Sequence, residues 1–477
     1  MAAPMTVTPD PVLRDGTDPA RPAAAPERLA DLVAAHDVRF VLAMFVDLTG
    51  KPCAKLVPAR SADELQDDGV GFAGFAAGPL GQTPSDPDMI VRPDLRSFTP
   101  LPMVREGMAV VQCDPYLRGE LWPFAPRVIL QAVAGQQHAK RRELYVGAEA
   151  EYFLVQRLPD GSIRPADSLD QADQPCYDAH GLTRMYDHLT SVADAMNGLG
   201  WGNYASDHED ANGQFEQNFA FDQALVTADR IVTLRYLVRS LAEKRGLTAT
   251  FMPKPFADRT GSGMHFHLSL WDGATPLFPR ASGASADPDG DPDGDPYGLG
   301  LSDLAYAYVG GLLDHAPGLA AVIAPTVNSY KRTGARTTAS GATWAPHRAT
   351  YGGNDRSHLV RVPDEHRVEL RAIDGSANPY LAAAAVLAAG ADGLDRALDP
   401  GAPQPPGGLP DDAPELPRTL VEATEAFLAD PVVRGALDAA DPSAGVSEYY
   451  ARVKREEFYR WHAAVSPWEL DHYLAAF

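Results

Sequence analysis

Two spacings divide the chain. Apolar positions recur every second residue in some stretches and every third or fourth in others, the periods of strands and helices. Residues 26–36 predict a short helix. Residues 39–59 predict two strands joined at Leu48-Thr49-Gly50-Lys51, a hairpin-like turn with Asp47 at its entrance, where an aspartate commonly accepts from the turn backbone. Residues 71–84, rich in Gly, Ala and Pro, predict an irregular loop, and 108–114 a further strand. These make a small, mainly β unit over 26–118, and 119–477 form a second, larger one. There, 126–138, 179–199, 223–246, 301–315 and 379–397 have helical spacing. Arg230, Arg235 and Arg239 fall at the polar edge of 223–246. Residues 144–156, 248–253 and 263–271 read as strands. A series of helices follows the Pro/Gly-rich stretch 400–417.

Composition narrows the class. The 477 residues are 45% hydrophobic and 22% charged, as in ordinary globular proteins, and are enough for more than one core. A net charge of −23 argues against a general nucleic-acid binder, which needs a basic face, but leaves room for a local arginine cluster. The three cysteines, Cys53, Cys113 and Cys176, are widely spaced and odd in number. They offer neither a zinc site nor a disulfide framework and suit a reducing compartment. No run is long enough to span a membrane and residues 1–25 lack a signal-peptide pattern, so the expected location is cytoplasmic. Residues 1–25 read as a disordered tail. Residues 282–300, with repeated Asp-Pro-Asp-Gly, read as a flexible surface loop, because the EF-hand order of acidic residues is absent.

Candidate chemistry sits on the strands. In GAEAE, Glu149 and Glu151 are two apart on one strand and share a face, where two carboxylates raise each other's pKa unless a cation intervenes. Glu209 and Glu216 flank the turn signal Asn212-Gly213, so a hairpin would bring them together. His265 and His267 share a face in GSGMHFH. Arg367, Glu369 and Arg371 do so in RVELR, preceded by Arg356 and Arg361. Glutamates with a histidine are ligands for hard divalent cations, and such cations beside arginines are the apparatus of phosphoryl transfer. A Walker A loop is absent. Taken singly, each group also reads as a solvated strand face.

The order of these motifs adds what no single one carries. FVDLTGK, GAEAE, HED–GQFE, MPKP–GSGMHFH, NSYKR, NDRSHLVR and RVELR–ANPYL in succession resemble the glutamine synthetase family from about Pro26 to the C-terminus. The resemblance implies an α+β fold: a small N-terminal β-grasp domain and a large catalytic domain with a curved antiparallel sheet and surrounding helices. It implies an ATP-dependent ligase that phosphorylates the γ-carboxyl of L-glutamate and then admits an amine. It also implies two or three Mg²⁺ or Mn²⁺ ions per site, and a homo-oligomer, a dodecamer of two hexameric rings with sites at subunit interfaces. Carried over residue by residue, Glu151, Glu209 and Glu216 match one metal's ligands, and Glu149, His265 and Glu369 another's. Glu151, Gly261, His265, Arg332 and Arg371 match the glutamate site. His267, Arg356, Arg361 and Arg367 match the ATP site. Asp47 matches an aspartate that a neighbouring subunit contributes to hold and deprotonate the incoming amine. Arg332, Arg356 and Arg371 with Asp47 form the expected catalytic group.

Two departures bear on the nucleophile and on glutamate. In ammonia-using members a flap glutamate stands immediately before an Ala-Pro pair; here Trp344 precedes Ala345-Pro346. An indole replaces a cation-holding carboxylate with an apolar wall, which suits an alkylamine and resembles the γ-glutamylmethylamide synthetase branch. A plain ammonia-using enzyme and a catalytically silent ring-forming relative are the competing expectations. Thr260 stands where the family has an asparagine beside Gly261. No tyrosine lies between Tyr380 and Tyr449, so adenylylation of the family's regulatory tyrosine is not expected.

Overall fold

A computed structural model describes residues 28–280, 295–333, 338, 344–408, 410 and 412–477. The expected tail 1–25 and most of the Asp-Pro-Asp-Gly stretch lie outside them.

Two sheets organise the chain. The first contains β1 (Phe40–Val46), β2 (Pro52–Pro58), β3 (Val70–Phe72), β4 (Met89–Pro93), β5 (Thr99–Pro100), β6 (Met108–Leu117) and β7 (Glu120–Leu121). Its order is β2-β1-β6-β4-β3, with a parallel β1–β6 pair at the centre. The β1–β2 hairpin turns at Asp47–Lys51 as its sequence predicts. The second contains β8 (Glu143–Arg157), β9 (Ile163–Pro165), β10 (Asn203–His208), β11 (Gln214–Phe219), β12 (Asp222–Gln223), β13 (Thr248–Thr250), β14 (Met264–Asp272), β15 (Thr275–Pro276), β16 (Tyr351–Gly352), β17 (Val360–Asp364) and β18 (Arg367–Leu370). Its order is β10-β11-β8-β14-β18-β17-β16, antiparallel except for the parallel β16–β17 pair. The sheet is thus antiparallel, as expected, apart from that short edge pair.

Helices form the backing layer. The helix Pro379–Arg396 packs on Asp303–Asp314, Pro126–His138 and Ala224–Glu243. Its alanine-rich sequence allows the close approach: Val386, Ala384 and Ala385 are fully buried. Asn378 caps it, accepting from the Tyr380 and Leu381 N–H groups, while Pro379 fills the first turn. The same Asn378 donates to the Asp47 carbonyl (3.0 Å), so one residue ties the catalytic unit to the β1–β2 turn. A second tie is Arg127, buried between Asp94 and Asp114 of the first unit and Asp229 of the second.

Local expectations fail in three places. Residues 71–84 are not wholly irregular, because Val70–Phe72 pairs with β4 and Gly74–Ala77 makes a helical turn. The helix expected over 179–199 breaks at Met185 into Ala179–Arg184 and Tyr186–Gly198, the first capped by Asp178. Arg235 is not at a polar edge: it is half-buried, donating to the Ala377 carbonyl (3.0 Å) with its guanidinium over the Phe251 ring.

Candidate active site

The site is one face of the second sheet. Strand alternation puts Glu149 and Glu151 on that face of β8, His265 and His267 on β14, and Glu369 on β18. Register then joins them. Glu151 lies opposite Glu216, Glu149 opposite His265, His267 opposite Glu369, and Glu369 opposite Arg361. A band of ionisable groups thus runs across β11, β8, β14, β18 and β17.

One half of the band is charge-balanced. Glu149 accepts from His267 Nε2 (2.8 Å) and lies 3.2 Å from His265 Nδ1. Glu369 is fully buried, with one oxygen on Arg361 (2.6 Å), the other on Arg371, and His265 Nδ1 3.4 Å away. Burial works to raise its pKa, but Arg371 and the two imidazoles outweigh it and hold Glu369 at about 2. Against the same burial, His267 and His265 hold Glu149 well below the ordinary carboxylate range. Donor atoms of Glu149, His267 and Glu369 lie within 4.8 Å of one another, so the tertiary structure gathers His267 as well as His265 around these two carboxylates.

The other half is not balanced. Burial, then Glu151 and Asp210, push Glu209 well above its usual pKa; burial, then Glu149, Glu209 and Glu151, do the same to Glu216. Asn218 donates to Glu216 (2.9 Å) and Gln214 to Glu151 (2.7 Å). Carboxylates this crowded, with amides as their hydrogen-bond partners among the described residues, are the hard-oxygen donor set that Mg²⁺ or Mn²⁺ fits. Asp207, opposite Glu216, faces the same group.

The GSG turn before β14 closes the site. A Cβ at Gly263 would lie 2.6 Å from His265 Nε2, 2.8 Å from Glu151 Oε1 and 2.9 Å from the Arg332 guanidinium; one at Gly261 would lie 2.4 Å from the Pro253 carbonyl. Only a hydrogen fits at either place. Arg332 is buried, donating to the carbonyls of Ala372 and Arg371 (3.1 Å each), which aims it from the helix Ser329–Thr333 at the band. Arg367 is buried beside Asp364, and Arg356 is exposed, with its carbonyl accepting from Arg371 Nε (3.0 Å).

Two expected residues stand apart from the band. Asp47 is buried in the β1–β2 turn, its Oδ1 accepting from the Thr49 N–H, the Thr49 hydroxyl and the Lys51 N–H, and its Oδ2 packed against Gly78. Burial raises its pKa. Trp344 is partly exposed, and its Nε1 donates to Asp210 Oδ2 (2.6 Å), beside Glu209. Gln214, Asn218, Asp207 and Asp210 belong to this neighbourhood and were missed by motif reading. The alternation Gln214–Glu216–Asn218 was the signal available for the first two.

Buried carboxylates gathered for hard cations, faced by arginines, define a metal-dependent enzyme of phosphoryl chemistry. Residues 123–473 match the glutamine synthetase catalytic domain. Over 451 residues the chain is 41% identical to a glutamine synthetase of Rhizobium leguminosarum bv. phaseoli, covering 94% of this chain and 99% of that one. Over 462 residues it is 38% identical to a glutamate–methylamine ligase of Methyloversatilis universalis, covering 95% and 100%. Among solved structures it is similar to a GmaS–ADP complex, with a TM-score of 0.85, 44% identity and coverage of 94% and 99%. The chain belongs to the glutamine synthetase family, ATP-dependent ligases that form a γ-glutamyl amide from glutamate and an amine. The α+β fold, with its small first sheet and curled second sheet, is that of the family.

Proposed function

We propose that the amine is a small alkylamine, so that the product is an N-alkyl γ-glutamyl amide. The observation that carries this reading is Trp344, an indole that donates to Asp210, the residue after Glu209, and stands where the family resemblance puts the flap carboxylate of ammonia-using members. An apolar wall there favours the added carbon, and one methylene discriminates by about 10- to 200-fold in such pockets. The name of the Methyloversatilis relative and the likeness to GmaS agree with it.

Glu151, Glu209 and Glu216 on one side, and Glu149, His265 and Glu369 on the other, would hold divalent cations. When bound, these cations spread the negative charge of the phosphoryl group being transferred. His267, Arg356, Arg361 and Arg367 would bind ATP. Glu369 holds Arg361 and Arg371 in place, which would pre-orient them for the charge of an incoming phosphate. Arg332 and Arg371 would orient the γ-carboxylate of glutamate, with the Gly261 backbone, packed against Pro253 and Arg332, as a further contact for the substrate. The carboxylate attacks the γ-phosphorus of ATP, ADP leaves, and the amine then displaces phosphate from γ-glutamyl phosphate. Asp47 would take the proton the amine sheds, a role its raised pKa suits.

The family resemblance gives that role to a neighbouring subunit's aspartate; within its own chain the Asp47 carboxylate is held by Thr49 and Lys51 in the β1–β2 turn. A homo-oligomer of two stacked hexameric rings would supply that neighbour. Exposed Val465, Trp468, Leu474 and Phe477 at the C-terminus are apolar surface for such an assembly to cover. Among the described residues no helix is long and apolar enough to cross a membrane.

The test is phosphate release with ATP, Mg²⁺ and glutamate across ammonium, methylamine, ethylamine and larger amines. We expect kcat/KM for methylamine to exceed that for ammonium by at least about tenfold. A kcat/KM for ammonium equal to or above that of every alkylamine would sink the proposal. It would favour ordinary glutamine synthesis, the activity named for the Rhizobium relative.

A further inference from the structure

The residue after Glu209 has no part in the chemistry above, yet it holds Trp344. Asp210 lies at the tip of the β10–β11 hairpin, and that tip is fixed from beneath. Buried Asp170 accepts from Asn212 Nδ2 (2.9 Å), the Gly213 N–H (2.6 Å) and His208 Nε2 (2.9 Å). The Asp210 N–H donates to Glu209 Oε2 (3.3 Å), which couples the tip to the carboxylate cluster. Trp344 has the opposite character: its ring is partly exposed and follows a stretch far from β10 in sequence, and its indole N–H reaches back to Asp210. A 2.6 Å bond from a neutral N–H to a carboxylate is of the strong, charge-assisted kind. The neighbouring Cys176 thiol is pushed up to about 12 by burial and by Glu209, Asp210 and Asp207.

The pairing is of donor to acceptor: the indole N–H can only donate, and the Asp210 carboxylate at the hairpin tip receives it. We propose that Asp210 is a positioning residue for amine selection: it fixes the Trp344 ring, and through that ring the apolar wall at the amine end. This rests on the reading of position 344 given above.

The experiment is a double-mutant cycle in the full-length protein with Asp210→Ala, Trp344→Phe and both together. Trp344→Phe keeps an aromatic face and removes the N–H. Each single change is expected to raise the KM for methylamine about tenfold, the value of one charge-assisted bond. The double variant should be no worse than either single within about twofold, because both remove the same bond. The KM for ATP should stay within about twofold, which a general loosening of the fold would not allow. Asp210→Asn, which retains an acceptor oxygen, should recover most of the loss; it also completes the cycle if Asp210→Ala fails to fold. A methylamine KM within twofold of wild type in Asp210→Ala, effects that multiply in the double variant, or an equal rise in the KM for ATP would each overturn the proposal. If wild type turns out to prefer ammonium, the alkylamine reading fails by itself. The same cycle run with ammonium then decides whether Asp210 positions Trp344.

Discussion

Replacing Gly263 with alanine adds one methyl group where His265, Glu151 and Arg332 converge. Gly263 is not in the left-handed backbone region, so the change strains no backbone dihedral and acts through contact alone. The new Cβ would lie 2.6, 2.8 and 2.9 Å from His265, Glu151 and Arg332. To reach an ordinary 3.4 Å contact, these side chains must retreat by 0.8, 0.6 and 0.5 Å respectively. Overpacking of this size costs about 1–3 kcal/mol of stability. Displacing reacting groups by about 1 Å costs on the order of 10²-fold in rate. We therefore expect Gly263→Ala to lose about 100-fold in kcat/KM for phosphate release while remaining folded at 25 °C. The control is Gly135→Ala in the helix Pro126–His138, where the added methyl meets nothing within 4 Å and activity should be unchanged. A soluble Gly263→Ala enzyme within threefold of wild type would refute the claim that these three side chains must converge on this point.

Two further predictions concern the scaffold. Arg127→Met leaves the partly buried Asp94, Asp114 and Asp229 without their shared buried cation and should cost about 3 kcal/mol in denaturant unfolding, whereas Arg96→Ala, at the exposed end of the same network, should cost at most about 1 kcal/mol. Buried His188, with neither ring nitrogen hydrogen-bonded, has its pKa lowered by burial and then by Arg245 from an imidazole's ordinary 6.5 to about 4. Between those values the unfolded chain takes up a proton that the folded chain refuses. Stability therefore falls as pH falls, by about 3 kcal/mol at pH 4. His188→Leu should flatten that part of the acid limb, and an unchanged slope would show that His188 is not responsible.

Much of the site was legible because strands alternate. Glu149 with Glu151, His265 with His267 and Arg367 with Glu369 and Arg371 share a face by spacing alone, and Asn212-Gly213 announced the hairpin that returns Glu216 to Glu209. Helix bounds were legible where a cap stands, as at Asn378-Pro379, and not where an apolar run hides a break, as at Met185. Arg235 was misread because its helical spacing places it near a polar edge, while the Phe251 ring and the Ala377 carbonyl that receive it come from distant segments.

What the chain determined by itself is the inventory: which side chains lie together within each strand, which turns close, and a motif order specific enough to indicate the family. Register between strands belongs to the tertiary structure, because backbone hydrogen bonds pair any two sequences and only packing of the whole sheet selects one alignment. That alignment sets His267 beside Glu149 and Glu369 and Glu216 opposite Glu151, while the packing of loops onto the sheet brings Asp210 to Trp344 across 134 positions of sequence.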